Sequence, residues 1–276
     1  MTVLTNTSWI DLNFLSKYLT NGKTYICLDE PDMIRPEGVT QFIAIQCEPN
    51  AISGLRDKFI KNHSRYDILL AHDDEILKAC PNAKLYVFGS CWISPDTYNA
   101  IDITRKLPRI SSLTGWKDTT DGHNFRRTLY FNQKSIDLPI TWYRSCMHVW
   151  MTEEITSNPV LDASQFSKQE LFLDYQYSLV IENNRAPNYF TEKLMDCLMT
   201  KTIPIYWGCT NIDRWFDTTG WIILETTHMN ELIEKCKILP VYSENLETIN
   251  KNYESAKKYI CLERNITNSL GLTSSS

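Results

Sequence analysis

The sequence predicts an α/β protein made of two Rossmann-like domains in succession, with a cleft between them. Two observations point there. Short β-branched and aromatic runs alternate with segments of helical period, as in a mostly parallel, doubly wound sheet. The alternation then stops at a polar stretch carrying Pro95 and Pro108, and starts again beyond it.

In the first half the strand candidates are 24–28, 42–46, 66–71 and 84–88, and the helix candidates are 11–19, 52–61 and 74–79. Asp73 is placed to cap the last of these helices, with Asp74 and Glu75 favourable in its first turn. Residues 94–108 read as an interdomain linker, which divides the chain into domains 1–100 and 101–276. In the second half the strands are 109–113, 140–143, 177–181, 203–207 and 221–224. Helices are expected over 121–133, 192–199, 229–238 and 246–261, and 267–276 reads as a frayed end.

With 276 residues at 43% hydrophobic, the chain can bury its cores without disulfide or metal staples. A formal net charge of −5 supplies no cationic field for nucleic acid or anionic lipid. It leaves room for a local basic pocket and for peripheral membrane contact. The nine cysteines are odd in number and show no C-x-x-C spacing, so free, packed thiols in a reducing compartment are expected. Residues 1–15 lack the basic and apolar regions of a signal peptide, and no apolar run is long enough to span a bilayer. The chain therefore reads as cytoplasmic, and the sequons at Asn6, Asn62 and Asn265 carry little weight.

The stretch richest in chemistry is 177–208, Y-S-L-V-I-E-N-N-R-A-P-N-Y-F-T-E-K-L-M-D-C-L-M-T-K-T-I-P-I-Y-W-G. It reads as a buried strand, a polar loop, a helix and a second strand. Glu182 and Asn183 fall at the carboxyl end of the first strand, where open α/β sheets bind ligands. The loop delivers Tyr189, Thr191, Glu192 and Lys193 to the start of the helix, whose free N–H groups and dipole favour a phosphate. Lys193 adds a point charge, and Glu192 can accept hydrogen bonds from ribose hydroxyls. The alternative is that both are ordinary exposed residues of a first helical turn.

The E-N step, the Y-x-T-E-K run and the closing I-P-I-Y-W-G make this stretch resemble the signature of glycosyltransferase family 10, the α1,3/4-fucosyltransferases, in a short bacterial or viral form. The resemblance implies a GT-B fold whose terminal helix, near 245–276, packs back on the first domain, and a GDP-sugar donor touched by Asn183, Tyr189, Thr191, Glu192 and Lys193, with Glu182 in support. A second, weaker likeness is the K-x-x-T-x-G-H-x-x-R run from Lys117 to Arg126. Here the resemblance implies that Arg126 binds the donor diphosphate, with Arg127 as understudy and Lys117 nearby. His123 is either a donor contact or a structural cap.

An inverting transferase needs a positioned base for the acceptor hydroxyl. Glu48, in F-I-A-I-Q-C-E-P-N directly after an apolar strand, is the best match to the glutamate the family carries there, with Asp29 and Glu30 as rivals. No Asp-x-Asp element occupies a strand-to-loop context, and the histidines are dispersed, so no metal or other cofactor is expected. Trp142, Tyr143, Trp150, Trp207, Trp215 and Trp221 read mainly as core, with sugar stacking as the alternative. The expected activity is transfer of L-fucose from GDP-fucose to a glycan acceptor bound by the first domain, with inversion. Another GDP-sugar donor, or a non-catalytic nucleotide-sugar or glycan-binding protein, stands as the alternative. The acceptor and the oligomeric state are not legible.

Overall fold

A computed structural model describes residues 2–145 and 168–272. Cys146, His148 and Trp150 lie outside the described residues. The chain divides into two compact units. The first comprises Met1–Gly89, Ala186–Tyr189 and Cys261–Ser276, and the second Ser90–Arg185 and Phe190–Ile260.

The first unit is a five-stranded parallel sheet in simple sequential order. Its strands are β1 (Thr2–Thr5), β2 (Lys23–Leu28), β3 (Gln41–Ile45), β4 (Ile68–Ala71) and β5 (Ala83–Leu85). From Tyr25 in β2, from Phe42 in β3 and throughout β4 the inner strands are apolar at every step, because both faces are covered. Ile26, Ile43 and Ile45 join one core with Leu15 and Ile266, while Cys27, Phe42 and Ala44 join another with Phe59 and Ile76. The helices are α1 (Leu12–Ser16), α2 (Asn50–Ser53), α3 (Arg56–Asn62) and α4 (Asp74–Ala79). Asp73 caps α4 by accepting the Glu75 N–H at 2.9 Å.

Several boundaries differ from the sequence reading. Strand β1 was not expected. It is a short edge strand whose outer residues are half exposed, so alternation gives little signal. The helix expected over 52–61 is two helices, because Gly54 adopts the left-handed conformation (φ 64°) and ends α2. The expected linker 94–108 holds α5 (Pro95–Asn99), capped by Ser94 with proline in its first turn, and the start of the next strand. The frayed end expected from residue 267 is corrected too. A helix runs to Leu270 with Ile266 and Thr267 buried, and Asn265 donates to the Gly89 carbonyl at 2.8 Å.

The second unit is also a five-stranded parallel sheet, formed by β6 (Leu107–Thr114), β7 (Ile140–Arg144), β8 (Tyr175–Ile181), β9 (Ile203–Trp207) and β10 (Ile222–Ile223). Its order is β10-β9-β8-β6-β7. The chain leaves β6 for β7 on one side and resumes at β8 on the other, so β6 and β8 are neighbours that flank a topological switch point. In register Ile110 lies opposite Tyr177 and Ser112 opposite Leu179. Ligands bind at such a point, outside the carboxyl ends of the strands. Helices α6 (Asp121–Phe131), α7 (Glu192–Met199), α8 (Met229–Cys236) and α9 (Leu246–Ala256) belong to this unit, and α10 (Leu262–Leu270) to the first. Among the described residues no helix is long and apolar enough to cross a membrane.

Candidate functional site

The carboxyl ends of β6 and β8 each feed a helix, and those two helix starts carry the chemistry. After β6 a polar loop containing the exposed Lys117 leads to α6. Thr120 caps α6, and its hydroxyl lies 2.8 Å from Nδ1 of the buried His123. Thr119 lies 3.2 Å from the same nitrogen. Burial pulls His123 down to about 4, and Arg126, Lys117 and Lys193 reinforce the shift. His123 is therefore a neutral ring held by two hydroxyls near the start of the helix.

One turn on, Arg126 reaches the exit of β8. Its Nη1 donates to the Ile181 carbonyl and, at 3.3 Å, to that of Glu182, while Nη2 donates to Oδ1 of Asn183 at 2.9 Å. The guanidinium thus ties α6 to the exit of β8 at the switch point. Arg127 points elsewhere and pairs with Asp118 at 2.6 Å.

Glu182 is fully buried and grips the start of α7. Its carboxylate accepts the Thr191 N–H at 2.9 Å and the Thr191 hydroxyl at 2.7 Å, with Lys193 Nζ at 3.8 Å. Burial raises its pKa and Lys193 opposes the rise. Thr191 in turn caps α7. Glu192 behaves differently. Burial would raise it, but Lys193 at 3.1 Å and Lys168 at 3.7 Å outweigh that and hold it at about 2. Glu192 is a fixed anion that accepts hydrogen bonds and does not exchange protons near neutrality.

Arg126, Glu192 and Lys193 line one cavity of about 210 Å³. Its remaining wall is mostly apolar, including Trp92, Leu113, Phe172 and Ile181. The same cavity exposes Lys168, which the sequence reading passed over. Lys168 pairs with the buried Asp196 at 2.7 Å and stands 4.4 Å from the ring centre of Trp92. Burial pulls Lys168 down, yet Asp196 and Glu192 together keep it above its ordinary value and charged. Asp196 also accepts the Trp92 N–H at 2.6 Å. A sequence signal for the pair existed: Asp196 is an acid on the apolar run of α7, and a buried carboxylate requires a partner.

Not every expected residue joins this group. Tyr189 belongs to the first unit and does not line the cavity. It is buried, with its ring centre 5.1 Å from that of His72, beside Asn188, whose amide donates to Asp74 at 2.9 Å. His123, Thr191, Asn183 and Lys117 do not line the cavity. Glu48 lies in the first unit, half-buried just beyond β3, with its N–H donating to Asp29 at 3.1 Å.

Comparison with known proteins bears on what such a site binds. A profile described as "Glycosyltransferase family 10 (fucosyltransferase) C-term" matches residues 110–264, more than half of the chain. The chain is 31% identical over 74 residues to alpha-(1,3)-fucosyltransferase FucT of Helicobacter pylori, covering 26% of this chain and 16% of that protein. It is 28% identical over 116 residues to GDP-fucose protein O-fucosyltransferase 3 of Xenopus tropicalis, covering 41% and 24%. Against alpha-(1,3)-fucosyltransferase B of Drosophila melanogaster it is 28% identical over 149 residues, covering 54% and 32%. The matched chain thus spans less than a third of each relative's own length. Among solved structures, S. aureus TarM superposes with a TM-score of 0.61 at 12% identity, covering 94% of this chain and 57% of that one. An alpha1,3-fucosyltransferase superposes with a TM-score of 0.53 at 14% identity, covering 94% and 81%. At these identities the likeness is one of fold, and that fold is GT-B.

Proposed function

We infer, since this chain belongs to glycosyltransferase family 10, that it transfers L-fucose from GDP-fucose to a hydroxyl of a glycan acceptor, inverting the anomeric carbon. The observation that carries this reading is the convergence of Arg126, Lys193 and Lys168 with the fixed anion Glu192 on one cavity at the β6–β8 switch point. The cations suit a diphosphate, Glu192 suits ribose hydroxyls, and the apolar wall suits a planar base. Fucose as the sugar draws on relatives whose names specify fucosyl transfer, one of them from GDP-fucose.

In the proposed reaction the acceptor oxygen attacks C1 of β-linked fucose while Glu48 takes its proton. The C1–O bond to the diphosphate breaks, its electron pair leaves on GDP, and Arg126 and Lys193 neutralise the charge that develops there. Side-chain cations do this work, with no metal or other cofactor required. The first unit supplies the base and the acceptor site.

A donor panel tests the reading. GDP-fucose should raise the melting temperature more than GDP-mannose or UDP-sugars, and acceptor-dependent GDP release should follow. Glu48→Gln should bind GDP as the wild type does while turnover falls about 100-fold or more. Preference for another GDP-sugar would replace fucose. Stabilisation by GDP with no release from any donor would make the protein a binding module.

A further inference from the structure

Asp29 and Glu48 compete as candidate bases in the sequence, yet in the structure one holds the other. Asp29 follows β2 and is a non-glycine residue in the left-handed region, with φ of 48°. Aspartate tolerates that conformation better than most residues. The twist turns its carboxylate across to the end of the neighbouring strand β3. One oxygen accepts the Cys47 N–H at 2.9 Å and the other the Glu48 N–H at 3.1 Å. The Asp29 N–H donates to the Ile45 carbonyl at 3.0 Å, closing the stitch from the other side. Two consecutive N–H groups aimed at one carboxylate fix the backbone at Cys47 and Glu48, and so the direction in which the Glu48 side chain leaves it.

We propose that Asp29 is a positioning residue whose carboxylate aims Glu48, and that the pair works as a unit in which only Glu48 meets the acceptor. This rests on the reading of Glu48 as the base. Among the described residues, the groups whose charges act on Asp29 or feel it include Glu48, Glu30, Cys27, Cys47 and Tyr86. Burial, with the charges of Glu48 and Glu30, pushes Asp29 up to about 6 against the two N–H bonds that lower it. On protonation one carboxyl oxygen becomes a donor and faces an N–H, so one of the two bonds is lost. The turn carrying Glu48 therefore loosens as pH falls through about 6, and the acid limb of turnover reports Asp29.

Asp29→Asn separates this role from simple folding. Asparagine has nearly the same size and tolerates the left-handed backbone, but its NH₂ must face one of the two N–H donors. The full-length variant should keep GDP affinity within about twofold and lose about tenfold or more in turnover, since misplacing a reacting group is costly. Its pH profile should lose the limb near 6. A second measurement needs no turnover. In the wild type the amide NMR signals of Cys47 and Glu48 should titrate together with one midpoint near 6. In Glu48→Gln the amides at 47 and 48 should still titrate together, at a lower midpoint because one of the charges raising Asp29 is gone, and in Asp29→Asn they should not. Wild-type turnover and pH profile in Asp29→Asn, or amides that do not titrate in the wild type, would overturn the proposal. A wild type that releases no GDP from any donor would instead overturn the reading of Glu48 as a base, while the amide titration still decides whether Asp29 grips the turn.

Discussion

At Gly208 a Cβ would stand 2.5 Å from Cγ of Glu182 and 2.7 Å from the Tyr206 hydroxyl, closer than real contacts come. The glycine that closes I-P-I-Y-W-G is there to leave room for the buried glutamate that grips Thr191. Gly122 has the matching role at α6, where a Cβ would stand 1.8 Å from the Glu182 carbonyl oxygen. Gly208→Ala should destabilise by about 1–3 kcal/mol, as overpacking does. It should also weaken GDP binding, because Glu182 must shift. Gly115→Ala meets only the Ser145 hydroxyl, at 3.3 Å, and should melt like the wild type. Calorimetry of the two variants decides, and an unchanged Gly208→Ala would remove the steric role. The sequence shows the glycine and its place in the motif, but the reason lies in a side chain 26 positions earlier that only the fold brings opposite. Lys168 was hidden in the same way. Its partners Glu192 and Asp196 lie on a distant helix, so nothing local marks K-Q-E-L as part of a site.

At the scale of elements, legibility followed capping and burial. Asp74–Ala79, Glu192–Met199 and Ile203–Trp207 run over the residues the pattern predicts, because a cap or an unbroken apolar run defines each one. Strand β1 escaped because it is a four-residue edge strand with one buried residue, and helix α10 because its Ile266 packs far away in sequence, in the core around Leu15 and Ile26. The corner between Leu171 and β8 is held by a feature no pattern could show. Nζ of the buried Lys106 lies 2.5 Å from the carbonyl of Phe172, 3.0 Å from that of Tyr175 and 2.9 Å from the Thr202 hydroxyl, and when protonated it donates to all three. It thereby ties the entries of β6, β8 and β9 together. Lys106→Met leaves those acceptors without this donor and should cost about 2–4 kcal/mol. Burial pulls Lys106 down to about 7, with Cys197 and Asp174 opposing. Between that value and the ordinary lysine range the unfolded chain holds a proton that the folded one has shed. Stability from this group therefore rises with pH across that window. The deficit of Lys106→Met relative to wild type should accordingly be larger at pH 9 than at pH 7 in urea melts. A constant deficit would show that Lys106 keeps its proton.

For the whole molecule, the proposed function raises the question of how a chain with a net charge of −5 would hold a polyanionic donor. Strand order supplies the answer, and composition could not. Because β6 and β8 are neighbours, residues at 126 and 193 line one cavity, and their charges act at short range on whatever lies in it. The acidic remainder of the surface acts from farther away and is screened, since the Debye length is about 10 Å at 0.1 M salt. Charge alone does not complete the site, however. The Arg126 guanidinium spends Nη1 on two carbonyls and Nη2 on Asn183, which fixes its plane at the switch point. Lysine carries the same charge but cannot span those acceptors with a planar fork. Arg126→Lys should therefore lose about tenfold or more in GDP affinity, close to the loss in Arg126→Ala, while Lys117→Ala, exposed in the loop, should lose little. Raising salt from 0.1 to 0.5 M should weaken wild-type binding only a few-fold, because the contacts lie well within the screening distance. Titration calorimetry of the four proteins at both salts measures this. Full rescue by Arg126→Lys would show that the site needs only positive charge and that the fork onto the exit of β8 is incidental.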